Sequence, residues 1–201
     1  MTGDWISVGD PLLAPSRDPE RSRSRLVEAD LSSECAPFLV DVLGLLDSHG
    51  VELADRTTAP GHLTGSALVV DASHERVLLL LHRKLRRWLQ PGGHADGDHE
   101  LAGVALKEAT EETGIDGLRV LVPAVDLDVH AVDHGDVLGE HLHLDLRFVV
   151  KAPQGAVERG NHESLGLRWV TWEELDEVAD EEGLRRLARS ARAALGERRG
   201  G

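Results

Sequence analysis

The chain has 201 residues and a formal net charge of -14, and 41% of its residues are hydrophobic. This composition predicts a folded protein, and the negative charge argues against binding to long nucleic acid, whose phosphates it would repel. A single cysteine, Cys35, excludes an intrachain disulfide and fits a reducing cytoplasm. No apolar run is long enough to span a bilayer, and the N-terminus lacks the pattern of a secretion signal. We therefore expect a cytoplasmic protein that binds neither membrane nor nucleic acid.

Residues 1–60 are expected to form an N-terminal extension with helical segments. Residues 1–31 are rich in Pro, Ser, Asp and Arg and predict a loose arm with a short helix near its end. Apolar residues recur at helical spacing from Ser33 to Ser48, and Gly50 follows where a C-terminal cap belongs. This amphipathic helix should pack on the main domain, and a homodimer interface is the alternative. Residues 51–62 predict a linker.

Residues 61–198 predict a domain in which strands and helices are mixed. Alternating or continuous apolar patterns predict strands at Thr64–Asp71, Arg76–His82, Leu118–Val132, His141–Lys151 and Leu167–Thr171. Helical patterns cover residues 99–113, with Asp98 as N-cap, and also Trp172–Val178 and Leu184–Leu195. The dipeptide Gly92-Gly93, after a proline, should break regular structure. This order of elements favours an α/β or α+β sandwich.

The segment most informative about chemistry is GGHADGDHELAGVALKEATEETGI. Glu108, Glu111 and Glu112 lie three and four residues apart, so their carboxylates share one face of the predicted helix. Like charges at this spacing destabilise an isolated helix, and hard cations prefer carboxylate oxygens, so the pattern favours a metal site. Gly92 and Gly93 would let the backbone approach a diphosphate closely. A solvated acidic helix face is the alternative.

This segment resembles the Nudix box, the signature of the Nudix hydrolase superfamily. The signature is a Gly, five residues, Glu, seven residues, then Arg-Glu-apolar-any-Glu-Glu-any-Gly-apolar. Gly93–Ile115 fits this spacing with two departures, since His99 replaces the first Glu and Lys107 replaces the Arg. Lys lacks the planar fork of Arg, so the carboxylates should be oriented more loosely. His99 could bind a metal, or Glu100 or Asp96 could take the role of the missing Glu, or the substitution could be inert.

The resemblance implies an α/β/α sandwich with a mixed sheet and a metal-dependent hydrolase. Such an enzyme cleaves a phosphoanhydride bond in a nucleoside diphosphate or triphosphate derivative, which is a small nucleotide-like substrate. By the same resemblance, Mg2+ or Mn2+ is held by carboxylates and a glycine carbonyl: Glu108, Glu111, Glu112 and Gly92 or Gly93. Glu108 or Glu111 would accept the proton of the attacking water, and Glu163 is the candidate for a base outside the box. A Nudix-fold module that binds nucleotides without turnover is the alternative function.

A second polar set alternates along the two longest predicted strands. Its members are Asp126, Asp128, His130, His141, His143 and Asp145, with Arg147 next in line. If the strands pair as a hairpin with His130 opposite His141, these side chains share one face. The set predicts a wall of the substrate pocket or an accessory metal site, and the alternative is a solvated sheet face. We take His130, His141 and His143 as substrate-binding candidates.

Two further residues are candidates for substrate contact. Arg147 is a candidate for contact with phosphate, because a guanidinium matches phosphate geometry. Trp88, just before the glycine pair, could stack on a nucleobase, and packing in the core is its alternative role.

Overall fold

The structure, a computed structural model, describes residues 3–133, 140–162 and 164–196. The described chain is an α/β/α sandwich with a mixed sheet, as the sequence predicts. The strands are β1 Asp4–Ser7, β2 Gly61–Val70, β3 Arg76–His82, β4 Trp88–Leu89, β5 Gly92–His94, β6 Arg119–Asp133, β7 Glu140–Lys151 and β8 Ser164–Thr171. The helices are α1 Pro19–Glu28, α2 Ala36–His49, α3 Leu101–Thr113, α4 Trp172–Val178 and α5 Glu182–Gly196. Among the described residues, no helix has the length and apolar character that a bilayer crossing requires.

The sheet is built around β2, every residue of which is buried. The strand order is β1-β6-β7-β2-β3-β4, with β5 paired to β2 and β8 paired to β3. β2 and β7 run parallel, and the other pairs are antiparallel. On its other side β2 pairs with β5 at Thr64–Ser66 and with β3 at Val69–Val70. The short strand β5 is therefore placed against the middle of the central strand.

The two faces of the sheet bury two different sets of residues, because successive strand side chains point to opposite sides. Leu63 and Val69 of β2 belong to the core cluster that includes residues of α1, α2 and α3. Leu68 and Val70 belong to a second cluster with residues of α4 and α5. We call these the α3 face and the α5 face of the sheet.

The N-terminal extension is part of the main core, so the expectation of a loose arm and a linker was wrong. β1 pairs with β6, and Leu26 of α1, Val42 of α2 and Leu53 lie in the same core cluster as the α3 face. Leu53 belongs to a short 3-10 helix, Gly50–Ala54, inside the expected linker. The predicted amphipathic helix is observed as α2. It packs on the main domain because its apolar side chains are buried in this core.

The expectation that Gly92-Gly93 breaks regular structure was also wrong, since these residues open β5. Gly92 lies opposite Ser66, and a Cβ at Gly92 would collide with the Ser66 side chain. The missing side chain therefore lets this short strand approach β2 closely. The bounds of β3 and α4 agree with the predicted ones.

Candidate active site

Helix α3 carries the three box glutamates and packs closely on β2. Its apolar residues, including Leu101 and Ala105, are buried, and a Cβ at Gly65 of β2 would lie 2.9 Å from the Leu101 carbonyl oxygen. The helix ends at Gly114, whose φ of 61° lies in the left-handed region that favours glycine. The N-cap is Glu100 rather than the expected Asp98, whose Oδ1 accepts the Glu100 N–H.

Two of the box carboxylates converge on β5. Gly92 donates its backbone N–H to Glu112 Oε2 at 2.9 Å, and Glu112 is buried. A Cβ at Gly93 would lie 2.5 Å from Glu108 Oε2, so a larger residue would displace that carboxylate. Glu111 shares their helix face, and its side chain is 57% exposed. We call this arrangement of Glu108, Glu111 and Glu112 around Gly92-Gly93 the carboxylate cradle.

Lys107 lies between two carboxylates of the cradle. Its Nζ is 3.2 Å from Glu108 Oε1 and 4.0 Å from Glu111 Oε2. Partial burial acts against the charge, but Glu108 and Glu111 outweigh it and raise the pKa of Lys107 above its ordinary value. Lys107 thus contributes the positive charge that the box Arg would supply, through a single ammonium group.

His99 is buried and is hydrogen bonded to two segments of the N-terminal extension. Its Nδ1 lies 2.9 Å from Ser22 Oγ of α1, and its Nε2 lies 3.1 Å from the Val51 carbonyl oxygen. Because a carbonyl oxygen can only accept, Nε2 carries the hydrogen of that bond. His99 therefore ties the start of the box to the extension.

Glu100 makes a second connection between the box and the extension. Its fully buried carboxylate forms ion pairs with Arg21 at 2.9 Å and with Arg25 at 2.8 Å. These arginines lie four residues apart on one side of α1. Asp96, the other acidic neighbour of His99, pairs instead with Arg56, and this hydrogen bond lowers the pKa of Asp96.

The second polar set lies on the α5 face, as a hairpin of β6 and β7. His130 lies opposite His143 and Asp128 lies opposite Asp145, so the pairing of His130 with His141 was wrong by two residues. The face-sharing argument requires only that the paired residue numbers have an odd sum, which both registers satisfy. The turn, residues 134–139, lies outside the described residues.

Arg147 is the centre of a buried ion network on this face. Its Nε donates to Asp145 at 2.7 Å, one terminal nitrogen donates to Asp128 at 2.9 Å, and the other lies 3.4 Å from Asp126. Arg186 of α5 completes the network, since its Nε donates to Asp126 at 2.7 Å and its Nη2 to Asp128 at 2.6 Å. The guanidinium of Arg147 is thus engaged by three carboxylates, an arrangement that favours a structural role over contact with phosphate.

Asp128 connects this network to the histidines. It lies 2.9 Å from His130 Nδ1. Burial acts against its ionisation, but the hydrogen bond with His130, the charge of Arg147 and the hydrogen bond from Arg186 outweigh burial and lower the pKa of Asp128.

Among the described residues, five imidazoles gather beyond the ion network on the same face. His62 of β2 is fully buried, and its ring centroid lies 4.8 Å from His141, 5.1 Å from His143 and 5.1 Å from His94 of β5. His130 lies 5.5 Å from His143, centroid to centroid. Burial, followed by the neighbouring imidazoles, lowers the pKa of His143 to about 2. The predicted residues His130, His141 and His143 are therefore together, and they are joined by His62 and His94.

Two predicted site residues remain, Trp88 and Glu163. Trp88 of β4 is half-buried, lies opposite Leu81 of β3 and packs against the apolar cluster of the α5 face. Glu163 lies outside the described residues. His62, His94 and Arg186 were not predicted as site residues. The position of His94 directly after the glycine pair is the one signal that the sequence offered for them.

The carboxylate cradle and the histidines lie on opposite faces of β5. Gly93 faces Glu108, whereas Gly92 and His94 point to the other side, towards Ser66 and His62. The fold therefore places two polar centres back to back, with one three-residue strand between them.

Comparison with known proteins assigns the family. The family model for the NUDIX domain matches residues 61–190, which is more than half of the chain. The chain therefore belongs to the Nudix family.

Curated relatives are distant and differ in their named activities. An m7GpppN-mRNA hydrolase of Danio rerio, NUDT17, is 27% identical over 124 residues, which cover 57% of this chain and 41% of the relative. A probable DHNTP pyrophosphohydrolase of Lactococcus lactis subsp. cremoris (strain MG1363) is 25% identical over 130 residues, which cover 64% of this chain and 76% of the relative. The match thus spans less than half the length of the Danio rerio protein.

Solved structures agree in fold. An Ap4A hydrolase of C. elegans, solved as a binary complex, superposes with a TM-score of 0.56 at 18% identity, covering 67% of this chain and 98% of that chain. A NUDIX-family hydrolase of Clostridium perfringens superposes with a TM-score of 0.50 at 20% identity, covering 64% and 95%. At these identities the likeness concerns the fold alone.

Proposed function

We propose that this protein is a metal-dependent pyrophosphohydrolase that cleaves a phosphoanhydride bond in a nucleoside diphosphate or triphosphate derivative. The observation that carries the proposal is the convergence of Glu108 and Glu112, from one helix, on the backbone of Gly92-Gly93. Membership of the Nudix family supports the same reaction class.

The cradle fits a hard divalent cation, Mg2+ or Mn2+. Its donors are carboxylate oxygens, the ligands that these cations prefer, and the bare backbone at Gly93 leaves room for the Glu108 carboxylate. Glu108, Glu111 and Glu112 would hold the cation, with a carbonyl of Gly92 or Gly93. When bound, the cation supplies positive charge that neutralises phosphate oxygens and acidifies water.

The residues of the chain then have separate tasks. Water attacks phosphorus, the bridging phosphorus–oxygen bond breaks, and a carboxylate accepts the proton of the water. Two carboxylates of the cradle are candidates for this base. Glu108 is partly shielded from bulk solvent, with a side chain 16% exposed, and Glu111 is open to solvent, with a side chain 57% exposed. Glu163 is the third candidate for the base. Lys107 orients the carboxylates through its contacts with Glu108 and Glu111.

The substrate class is a small nucleotide-like diphosphate. The name of the Lactococcus lactis relative refers to the pyrophosphohydrolysis of a small triphosphate, and the net charge of -14 disfavours long polyanions such as the mRNA named for the Danio rerio relative. Trp88 is the candidate for stacking on a base, and His130 and His141 are the histidine candidates for contact with the part of the substrate that extends beyond the carboxylate cradle.

The test is release of phosphate or pyrophosphate from a nucleotide panel, with and without Mg2+ or Mn2+. Glu112→Gln and Glu111→Gln should reduce turnover by about two orders of magnitude or more. Gln at position 112 can still accept the N–H of Gly92, so the melting temperature should remain close to that of the wild type. Glu177→Gln, at an exposed position of α4, makes the same chemical change away from the cradle.

Three outcomes separate the alternatives. Metal-dependent turnover that both cradle variants lose, and that Glu177→Gln keeps, supports the proposal. Near-normal metal-dependent turnover in both cradle variants contradicts the assigned site. Tight binding of nucleotides without turnover by the wild type would support the alternative function, a binding module.

A further inference from the structure

We propose that His62, His94 and His143 form a zinc-binding site, separate from the carboxylate cradle. One ring nitrogen from each of the three side chains can be chosen such that all three atoms lie within 4.8 Å of one another. In a tetrahedral zinc site with bonds of about 2.0–2.1 Å, nitrogens lie roughly 3.4 Å apart, so modest rotations of the side chains close the site. The inference is independent of the proposed hydrolase activity.

The strand pairing explains why these histidines meet. His62 and His143 are directly paired in the parallel ladder between β2 and β7. His94 lies opposite Thr64, the next residue on the same face of β2. The three ligands thus come from three hydrogen-bonded strands, whose backbones fix the spacing independently of any loop.

Burial and the local charge favour a cation at this position. His62 is fully buried, whereas His94 and His143 are half-buried, so the site has a closed floor and an open side. The neighbouring ion network combines three carboxylates with two guanidiniums, those of Asp126, Asp128, Asp145, Arg147 and Arg186. Its net charge of one negative unit attracts a cation.

The ligand chemistry distinguishes this site from the cradle. Three imidazoles suit zinc and other borderline metals, whereas Mg2+ and Mn2+ prefer carboxylate oxygens. His130 and His141 adjoin the three ligands and place two further imidazoles beside the site.

The experiment measures zinc binding by tag-free protein that has been stripped with a chelator, in excess Mg2+. The excess Mg2+ competes for the carboxylate cradle and poorly for imidazoles. We expect one Mg2+-resistant zinc ion per chain in the wild type and in Glu112→Gln. His94→Gln and His143→Gln should weaken zinc binding by at least about tenfold. His49→Gln, on α2, is the matched control and should bind zinc like the wild type.

A second measurement needs no variant in the histidine site. Four-coordinate Co2+ bound by imidazoles absorbs visible light much more strongly than octahedral Co2+ bound by oxygen. Wild-type protein with Co2+ should therefore show intense visible absorption bands. Zinc binding by His94→Gln and His143→Gln equal to that of the wild type would overturn the proposal. A weak, oxygen-type Co2+ spectrum, or an intense one that Glu112→Gln abolishes, would also overturn it, even if the histidine variants fail to fold.

Discussion

Replacing Arg186 by Met tests whether the buried ion network is a major source of stability. In the wild type, Arg186 donates to Asp126 at 2.7 Å and to Asp128 at 2.6 Å, and Asp126 is fully buried. Met has an unbranched apolar side chain that can occupy much of the same space, so the main change is the loss of charge and donors. Asp126 would keep the Arg147 contact at 3.4 Å and the Cys35 thiol at 3.2 Å.

The expected loss follows from the burial of the ion pair. Breaking a buried ion pair costs about 3–5 kcal/mol, and the two contacts that remain on Asp126 place the loss near the lower end. We therefore expect a loss of about 3 kcal/mol at pH 7.

Urea unfolding at pH 7, followed by tryptophan fluorescence and circular dichroism, measures this loss. The control is Arg189→Met on the same helix, because the Arg189 pair with Glu182 is exposed on both sides (52% and 62%). That substitution should cost at most about 1 kcal/mol. A loss below about 1 kcal/mol for Arg186→Met would refute the reasoning.

Three further substitutions test other contacts. Gly93→Ala should displace the Glu108 carboxylate and reduce turnover at least about tenfold in the phosphate-release assay. The melting temperature should change little, because the flexible Glu108 side chain can move away from the added methyl group. His99→Glu, which restores the family residue, should destabilise the fold by about 2–3 kcal/mol in urea unfolding, because the carboxylate would face the Val51 carbonyl oxygen. Asp128→Asn removes a carboxylate whose pKa is lowered in the folded state. The wild type should therefore be more stable than the variant above about pH 4, and this difference should shrink as the pH falls towards 2. Acid unfolding of both proteins measures it.

Each of these substitutions has a control that makes the same change elsewhere. Gly44→Ala lies in α2, where an added Cβ meets nothing within 4 Å, and should leave turnover unchanged. His49→Glu tests the same exchange at the end of α2. Asp176→Asn removes the exposed partner of Arg192 and should show little of the acid dependence. Full turnover in Gly93→Ala, unchanged stability in His99→Glu, or a constant gap for Asp128→Asn down to low pH would each contradict its prediction.

The sequence predicted elements that have strong local patterns and failed where tertiary contacts determine the structure. The apolar run of β3 and the helix α4 after Thr171 were predicted with the observed bounds, because their signals are local. β5 is only three residues long and forms because β2 accepts a bare glycine backbone beside Ser66. No local pattern carries that information.

The polar face shows the same division. Alternation along β6 and β7 fixes which side chains share a face, and that part of the prediction was correct. It does not fix the register, because a shift of two residues keeps every side chain on its face. Nor could it include His62 of β2 and His94 of β5, which lie more than 30 residues apart in sequence and come together only because both β5 and β7 pair with β2.

The departure at His99 and the N-terminal extension explain each other. In this chain the start of the box is anchored from outside the matched family region, through His99 to Ser22 and through Glu100 to Arg21 and Arg25. An imidazole can serve the two polar partners of position 99, of which the Val51 carbonyl requires a donor that a carboxylate lacks. His99, which weakens the match to the box, is therefore the residue that the N-terminal extension requires. Glu108 and Glu112 remain directed at β5.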